Sequence, residues 1–427
     1  MAVNMLENLK KTQKLINETE NEKWLGFYYG RFFTGSITFG EEGINGTLYF
    51  LNGYAYAYEA GIPITGIDIG ITATTEGWNH FKDRRRSVNI GANKGAAKKR
   101  GWDPELALTQ LGSTLRLRQS AAPLAEAARL YSYARENITP SEEVVPQRDA
   151  DVFVEDAPIR GFYVRVNGVK VYCETNDGPD DQATLVFLHT AGRDNRQYHD
   201  LISLFKGQYK IVTFDIPGHG KSWPLPGNKV VSEFHQYGDW IWDIITALGI
   251  KNPIIGGCSM AGCIVYYLAQ TYPVRAVCCM QGVEDTAGQT DTRVTDMLFH
   301  PLVSCQHSHL ELTESLIGQK TSLARQEFIY WGVLQETGIT KQGDYLELLS
   351  FDVKDGMDKI TCPVLIIEGM DDQSYTPTMT KQSLSRLVNS SHAELKLIPG
   401  YGHFIAVESP ETVYLYLSEF IEKYCIQ

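Results

Sequence analysis

Residues 257–263, read as GCSMAGC, place a serine among small residues. The apolar run 253–256 precedes them and a helical pattern follows, which puts Ser259 on a turn from strand to helix. A serine on such a turn needs Gly or Ala two residues before and after it, because the backbone is crowded where the hydroxyl projects. Gly257 and Ala261 supply these positions, so we predict that Ser259 is a nucleophile.

Two further segments give the serine turn its context in the chain. Residues 215–222 read DIPGHGKS and residues 400–404 read GYGHF. Together with the serine turn, they make the chain resemble the α/β-hydrolase family over residues 155–427. The resemblance implies that Ser259 attacks the substrate and that His403 is the general base which takes its proton.

The resemblance also implies an acidic partner for His403, after a strand that ends near Gly369. The family places this acid three residues after the glycine, which selects Asp372. Asp371 remains an alternative, because the proline that normally follows at a fixed distance, here Pro377, is displaced by one residue. An acid at this point would fix the tautomer of the imidazole and stabilise the imidazolium.

A tetrahedral oxyanion needs preorganised hydrogen-bond donors. The backbone N–H of Met260, directly after the serine, is one candidate. The resemblance places the other in the turn after a strand, where the family's His-Gly-x-Gly reads HTAG at residues 189–192. Ala191 matches the donor position. Thr190 replaces a glycine, which leaves the backbone path of this turn open.

Two arginines, Arg193 and Arg196, continue the same turn. A guanidinium offers a bidentate fork, so either arginine could bind a carboxylate or polarise a carbonyl of a substrate. The alternative is an ion pair with Asp194 or Asp200 that only shapes the loop. We name Arg196 and Arg193 as candidate substrate-binding residues.

No cofactor and no metal site is expected from the remaining reactive side chains. Cys258 and Cys263 flank the serine turn, and their apolar surroundings favour packing over chemistry. The resemblance gives His189 and His219 structural roles. The histidines near residue 305 lack the carboxylate or cysteine spacing that would complete a metal site; they are His300, His307 and His309.

The elements that must position these residues follow from short apolar runs rich in β-branched residues. Runs of this kind, separated by helical stretches, predict an α/β fold with a parallel sheet buried on both faces. The predicted strands are 184–188, 210–214, 253–256, 276–280, 364–367 and 393–398, after a hairpin at 163–172. The expected fold is therefore an α/β-hydrolase fold with a mostly parallel central sheet.

An insertion at about residues 284–355 is predicted to form a helical cap, which in this family covers the active site and sets substrate choice. Its helical patterns span 291–298, 310–316, 323–334 and 345–352. Among its aromatic residues, Trp331 is our candidate for lining an apolar substrate pocket.

The first part of the chain has a different pattern. Residues 1–137 are predicted to form a small α+β domain, with strands at 36–39, 47–51, 54–58 and 67–73, and residues 138–154 read as a linker. After the strands come an acidic helix with Trp78 and Phe81, a strand GSTLRLRQS at 112–120 and an Ala/Leu-rich helical pattern at 124–134. This order, over residues of about 25–135, resembles the sterol carrier protein family, which implies an apolar tunnel for a lipid-like ligand. The alternative is a docking or dimerisation module, through which the protein could form a homo-oligomer.

Charge and composition restrict the partners. The net charge of −12 gives no basic surface for nucleic acid, and no run of residues has the length and apolarity of a membrane span or a secretory leader. The eight cysteines form no disulfide pattern, which is typical of a reducing compartment. We therefore expect a cytoplasmic protein that acts on a small molecule.

The function predicted from the sequence is a cofactor-independent serine hydrolase. Its substrate would be an ester, lactone or related acyl bond in an apolar small molecule. Two alternatives stay open: a C–C bond hydrolase or lyase that uses the same three residues, and a non-catalytic ligand-binding protein on the same fold. A serine at the turn, rather than an aspartate, argues against epoxide hydrolase and dehalogenase chemistry.

Overall fold

The computed structural model describes two compact units of the chain. Residues 1–145 and 289–315 group into the first unit, and residues 146–288 and 316–427 into the second. The described residues are 4–18, 34–75, 78, 102–103, 127–137, 159–176, 178–180, 182–287, 309–310, 313–314, 316–372 and 374–425. Of the predicted cap, residues 289–315 thus group with the first unit.

The first unit contains a mixed five-stranded sheet in the order β3-β2-β1-β4-β5. Its strands are β1 (Gly35–Glu41), β2 (Ile44–Leu51), β3 (Tyr54–Ala60), β4 (Ile69–Ala73) and β5 (Trp102–Asp103). The hairpin between β2 and β3 turns at Asn52 and Gly53, both with positive φ, as an Asn-Gly pair allows. The first four of these strands overlap the four predicted ones.

Aromatic side chains form the core under this sheet. Phe39 stacks on Tyr131 with ring centroids 4.7 Å apart, and Trp78 lies at the same distance from Tyr131. The Trp78 indole donates to the Gly40 carbonyl at 3.1 Å, so its one polar atom is paired inside the core. Residues 127–135 are helical, which agrees with the pattern read at 124–134.

The helix Met5–Asn17 is not among the predicted elements, because the high charge of this stretch hid its pattern. Met5, Leu9 and Ile16 are buried on one face at helical spacing, and the Asn4 side chain accepts from the Glu7 N–H at the start of the helix. The signal was therefore present as a capping residue followed by one apolar stripe.

The second unit is built on an eight-stranded sheet in the order β13-β12-β11-β10-β8-β9-β7-β6. Strands β8 to β13 are parallel to one another, and the β6–β7 hairpin adds antiparallel strands at one edge, where β7 pairs with β9. Its strands are β6 (Arg160–Val166), β7 (Val169–Thr175), β8 (Leu185–Leu188), β9 (Ile211–Phe214), β10 (Ile254–Cys258), β11 (Ala276–Met280), β12 (Val364–Gly369) and β13 (Ala393–Ile398). The predicted α/β-hydrolase architecture is confirmed.

Helices cover both faces of this sheet, because its central strands are apolar on both sides and need cover. The helices of the second unit are His199–Phe205, Phe234–Ala247, Met260–Thr271, Leu323–Gln335, Gly338–Ser350, Pro377–Arg386, Ile405–Glu408 and Pro410–Tyr424. Of these, Leu323–Gln335 and Gly338–Ser350 lie in the predicted cap and pack on other helices. The helix predicted at 345–352 begins earlier, at Gly338, where Thr337 accepts from the Thr340 N–H and caps it. Residues 291–298 lie outside the described residues.

The topology brings five loops to one edge of the sheet. Parallel neighbours β8, β10, β11, β12 and β13 all end there, and the residues that follow them begin with His189, Ser259, Gln281, Met370 and Pro399. In open parallel sheets, ligands bind beyond the carboxyl ends of the strands. The predicted site residues therefore converge because of strand order, although they are far apart in sequence.

Candidate active site

Ser259 lies at the turn between β10 and the helix Met260–Thr271, with φ 58° and ψ −118°. Positive φ is costly for a residue with a Cβ, so the turn holds Ser259 in a strained conformation. Two backbone bonds maintain it: the Ser259 N–H donates to Met280 O, and Ser259 O accepts from the Cys263 N–H, both at 2.9 Å. A Cβ at Gly257 would collide with the carbonyl of Ala261, which explains the small residue there.

His403 connects the serine to an aspartate. Its Nε2 lies 2.6 Å from Ser259 Oγ, and its Nδ1 lies 2.7 Å from Asp372 Oδ2. When Nδ1 carries the proton, it donates to the carboxylate and Nε2 accepts from the serine hydroxyl. All three side chains are buried. The structure thus brings together the three residues that the sequence analysis selected.

The neighbouring aspartate has different contacts. Asp371 Oδ2 accepts from the Gln319 N–H at 3.1 Å, and its own N–H donates to Tyr401 O at 2.9 Å. Asp372 Oδ1 accepts from the Ser374 N–H at 2.7 Å, which leaves Oδ2 facing His403. The geometry therefore favours Asp372 over Asp371 as the histidine's partner.

Glu408 organises the loop that carries His403. Its carboxylate accepts from the N–H groups of Gly402, Phe404 and Gly318, each at 2.8 Å, and from the Thr321 hydroxyl at 2.6 Å. Burial raises the pKa of Glu408, and these four donors act against that rise. The glutamate was not singled out from the sequence, where it is one acid among many.

Gln281 is a second residue that the sequence analysis missed. It follows β11 with φ 49°, is fully buried, and its Nε2 donates to Asp372 Oδ2 and to Gly402 O, both at 2.9 Å. Its Oε1 accepts from the Gly369 N–H at 2.5 Å. One amide thus joins the acid's loop to the histidine's loop. In the sequence, its place directly after a predicted central strand marks Gln281 as a residue near the site, but does not reveal these partners.

We expect Gln281→Leu to lower kcat by about 10- to 100-fold, because a hydrogen bond to a charged group contributes ~1.5–3 kcal/mol. KM should change much less, since the amide orients Asp372 and does not lie in a described cavity. The measurement is steady-state kinetics on an activated ester, with Gln270→Leu as the matched control. Gln270 donates to Val353 O, remote from Asp372. Equal losses of kcat in the two variants would contradict a positioning role.

The two predicted oxyanion donors lie in the turns after β8 and β10. Within the described part of the chain, neither the Ala191 nor the Met260 N–H donates to another protein group. The Thr190 N–H donates to Gln197 Oε1 at 3.0 Å, and Gly192 takes φ 62°. The side-chain bond from Gln197 therefore fixes the turn in which threonine replaces the usual glycine.

Asp344 anchors the same turn from the helix Gly338–Ser350. Its Oδ2 accepts from the Gly192 N–H at 2.6 Å and lies 3.0 Å from His219 Nε2, and the Tyr237 hydroxyl donates to its Oδ1. Burial alone would lower the pKa of His219, but Asp344, together with Glu336 and Asp215, outweighs this effect and raises the pKa to about 9. His219 is therefore protonated at neutral pH, and its contact with Asp344 holds the turn beside the serine.

The contact between His219 and Asp344 makes the free energy of unfolding depend on pH. The pKa of His219 in the folded protein, about 9, exceeds the ordinary value of 6.5, so the stabilisation is complete below pH 6.5 and is lost as pH rises through 9. We expect Asp344→Asn to lower the free energy of unfolding of the second unit by on the order of 3 kcal/mol at pH 6, and by less at pH 9.5. Urea denaturation at both pH values measures the difference. If the difference in free energy of unfolding between wild type and Asp344→Asn does not change with pH, the stabilising role of the His219–Asp344 contact is contradicted.

The two arginines of the turn differ in their partners. Arg196 forms an ion pair with Asp194, donates to Gln335 Oε1 at 2.6 Å, and lies 4.3 Å from the centroid of the Trp331 ring. This is the ion-pair alternative considered for Arg196. Arg193 is 5% exposed and lies over the Phe404 ring, with its Cζ 4.7 Å from the centroid.

The flanking cysteines are packed away from solvent. Cys258 and Cys263 are fully buried, and desolvation raises the pKa of both thiols, to about 12 for Cys263. A thiol that stays protonated is a poor nucleophile. The Cys258 Sγ instead lies 3.4 Å from His403 O, where it packs beneath the loop of the histidine.

This combination of a mostly parallel sheet, a strained serine turn and three loops carrying Ser259, His403 and Asp372 defines the α/β-hydrolase class. Residues 183–297 match the model of the α/β-hydrolase fold family. The second unit has this fold, and its relatives place it among the hydrolase enzymes. None of the helices in the described part of the chain has the length and apolar character needed to cross a bilayer.

Three known proteins illustrate the similarity. The chain is 24% identical over 243 residues to the (E)-2-((N-methylformamido)methylene)succinate hydrolase of Acinetobacter baylyi, covering 54% of this chain and 86% of that protein. It is 23% identical over 257 residues to 3-oxoadipate enol-lactonase 1 of the same organism, covering 58% and 91%. An esterase structure from Exiguobacterium antarcticum superposes with a TM-score of 0.55 and 18% identity, covering 62% and 100%. The resemblance of residues 25–135 to sterol carrier proteins stays a prediction.

Proposed function

We propose that the protein is a serine hydrolase that cleaves an ester, lactone or related acyl bond of a small molecule through Ser259, His403 and Asp372. The observation that carries the proposal is the continuous pair of hydrogen bonds from Ser259 Oγ through His403 to Asp372 Oδ2, at 2.6 and 2.7 Å. A hydroxyl held against an imidazole that is itself held by a carboxylate is an arrangement suited to proton transfer during nucleophilic attack.

The chemistry proceeds in two halves. Ser259 Oγ attacks the carbonyl carbon while His403 Nε2 takes its proton, and the carbonyl oxygen becomes an oxyanion near the N–H groups of Ala191 and Met260. Collapse of the tetrahedral intermediate expels the alcohol or enol, which receives the proton from His403, and leaves an acyl-enzyme. Water then attacks with the same base and releases the acid. Asp372 stays ionised throughout and stabilises the imidazolium.

The relatives support the reaction type in general terms. An enol-lactonase and a hydrolase of a succinate derivative are among the relatives of the chain. The fold alone is compatible with many substrates. The proposed reaction therefore depends on the described side chains.

The test is a comparison of three substrate types on the purified full-length protein: nitrophenyl esters, simple lactones and a vinylogous diketone. Hydrolysis of esters or lactones, with burst kinetics that indicate an acyl-enzyme, is the expected result. Turnover of the diketone alone would replace the proposal with C–C bond cleavage. No turnover and no covalent adduct with a small fluorophosphonate would leave a ligand-binding protein.

A further inference from the structure

The guanidinium of Arg193 is buried without a complete set of partners. The side chain is 5% exposed, and its Nη2 has no hydrogen-bond partner among the described residues. Buried charged groups are normally paired, because removing a charge from water without compensation is costly. Nη2 is therefore a donor inside the second unit to which a ligand group could supply the missing hydrogen-bond acceptor.

The acidic neighbours of Arg193 already have other partners. Asp194 is bound to Arg196, whose Nε donates to its Oδ1 at 2.7 Å. Glu336 accepts from the Gly220 N–H at 3.1 Å, and burial raises the pKa of this carboxyl. Burial also lowers the pKa of Arg193 to about 10, which leaves the guanidinium protonated at neutral pH. The positive charge is thus present; Asp194 and Glu336 lie near enough to stabilise it, but the hydrogen bonds described for their carboxylates go to Arg196 and Gly220.

Arg193 also lines a small cavity beside the oxyanion turn, with room for about one water molecule. The cavity is lined by Arg193, Asp194, Arg196, Gln197, Phe328, Trp331, Gly332, Phe404 and Val407. Gln197 holds the Thr190 N–H of the oxyanion turn, and Phe404 directly follows the histidine His403. A ligand group that widened this cavity to reach Arg193 would therefore lie between the oxyanion turn and the loop of His403.

The packing keeps the guanidinium in place for this role. Its Cζ lies over the Phe404 ring, which supports the flat face of the group. A Cβ at position 332 would collide with Arg193 Nη1, so glycine is needed there for the helix Leu323–Gln335 to lie against the arginine. Both contacts fix the plane of the fork, and neither supplies a hydrogen-bond acceptor for the buried Nη2.

We propose that Arg193 binds a carboxylate of the substrate, so that the enzyme prefers esters or lactones whose acyl part carries a second, anionic carboxyl group. The planar fork of a guanidinium matches the two oxygens of a carboxylate, which favours this group over a neutral polar one. The inference rests on the proposed hydrolase function only in treating the ligand as substrate. The binding step itself needs no turnover.

The test uses matched pairs of nitrophenyl esters: the half-esters of adipic and suberic acid, and neutral alkanoates of equal length. For wild type we expect a higher kcat/KM on the anionic member. Arg193→Gln should lower the ratio of anionic to neutral kcat/KM by about 10- to 100-fold, in line with a hydrogen bond to a charged group. Arg165→Gln is the control, since Arg165 is exposed and remote, and it should leave the ratio within about twofold.

A second measurement separates this inference from the proposed function. Calorimetric titration of the adipate half-ester into Ser259→Ala protein, and into the same protein with Arg193→Gln added, measures binding without hydrolysis. A dissociation constant raised about 10- to 100-fold by the second substitution is expected. An unchanged constant, or an unchanged kinetic ratio, would overturn the role of Arg193. If the wild type shows neither turnover nor adduct formation, the proposed hydrolase function is overturned instead. Arg193→Lys, which keeps the charge, replaces the glutamine variant if that variant does not fold.

Discussion

Ser259→Ala is expected to abolish covalent labelling by a fluorophosphonate and to lower kcat by about a hundred-thousand-fold or more, since removing the nucleophile of such a triad removes the activity of all its members together. His403→Ala should have an effect of the same order, because the hydroxyl then has no base within 2.6 Å. Intact mass after reaction with the probe reports the adduct, and ester hydrolysis reports the rate.

The control for this prediction is a neighbouring residue on the same turn. Cys258→Ala removes the side chain directly before the serine, which is fully buried and packs beneath the histidine's loop. This variant should still form one adduct of the expected mass. An adduct that survives Ser259→Ala, or that disappears in Cys258→Ala with the fold intact by circular dichroism, would contradict the assignment of the nucleophile.

The sequence was sufficient for the parts of the site that depend on local rules. The glycine and alanine around Ser259 and the β-prone run before it are local, and the structure has the strained turn they predict. The strands of the sheet were also found, because buried parallel strands are continuous apolar runs. Strand order then brings Ser259, His403 and Asp372 together, as the family resemblance implied.

Residues that act through long-range contacts could not be found in this way. Gln281 joins two loops that are 88 and 121 positions further along the chain, and nothing in its immediate neighbours signals those bonds. Asp344 reaches the Gly192 N–H across 152 positions. Such residues are recognised only when the fold shows which backbone groups lie beside them.

The partners of Arg193 also could not be predicted from the sequence. The sequence placed two arginines beside the oxyanion turn and left open which of them would pair with Asp194. In the structure Arg196 takes that partner, because the Asp194 side chain already caps its short helical turn and accepts from the Arg196 N–H. Arg193 then lines the cavity, and its Nη2 has no hydrogen-bond partner among the described residues. Pairing of one arginine thus determines what the other can do.

Asp372→Asn is expected to lower kcat by about ten-thousand-fold, although the change conserves shape. Asp372 Oδ2 accepts from both His403 Nδ1 and Gln281 Nε2, and Oδ1 accepts from the Ser374 N–H. An asparagine has one NH₂ group, so in either orientation it sets a donor against a donor. With NH₂ at the Oδ2 position, the imidazole is driven to carry its proton on Nε2, where it cannot accept from Ser259.

Asp371→Asn is the matched comparison, because it makes the same chemical change one residue earlier. Asp371 accepts from the Gln319 N–H and does not face the imidazole, so its loss should lower kcat by less than about tenfold, the effect of one ordinary hydrogen bond. Steady-state kinetics of both variants on one ester, with thermal unfolding as a check of folding, measures the contrast. Similar losses in the two variants would mean that the charge of this loop, rather than its contact with His403, supports the reaction. A larger loss for Asp371→Asn would move the acid of the triad to position 371.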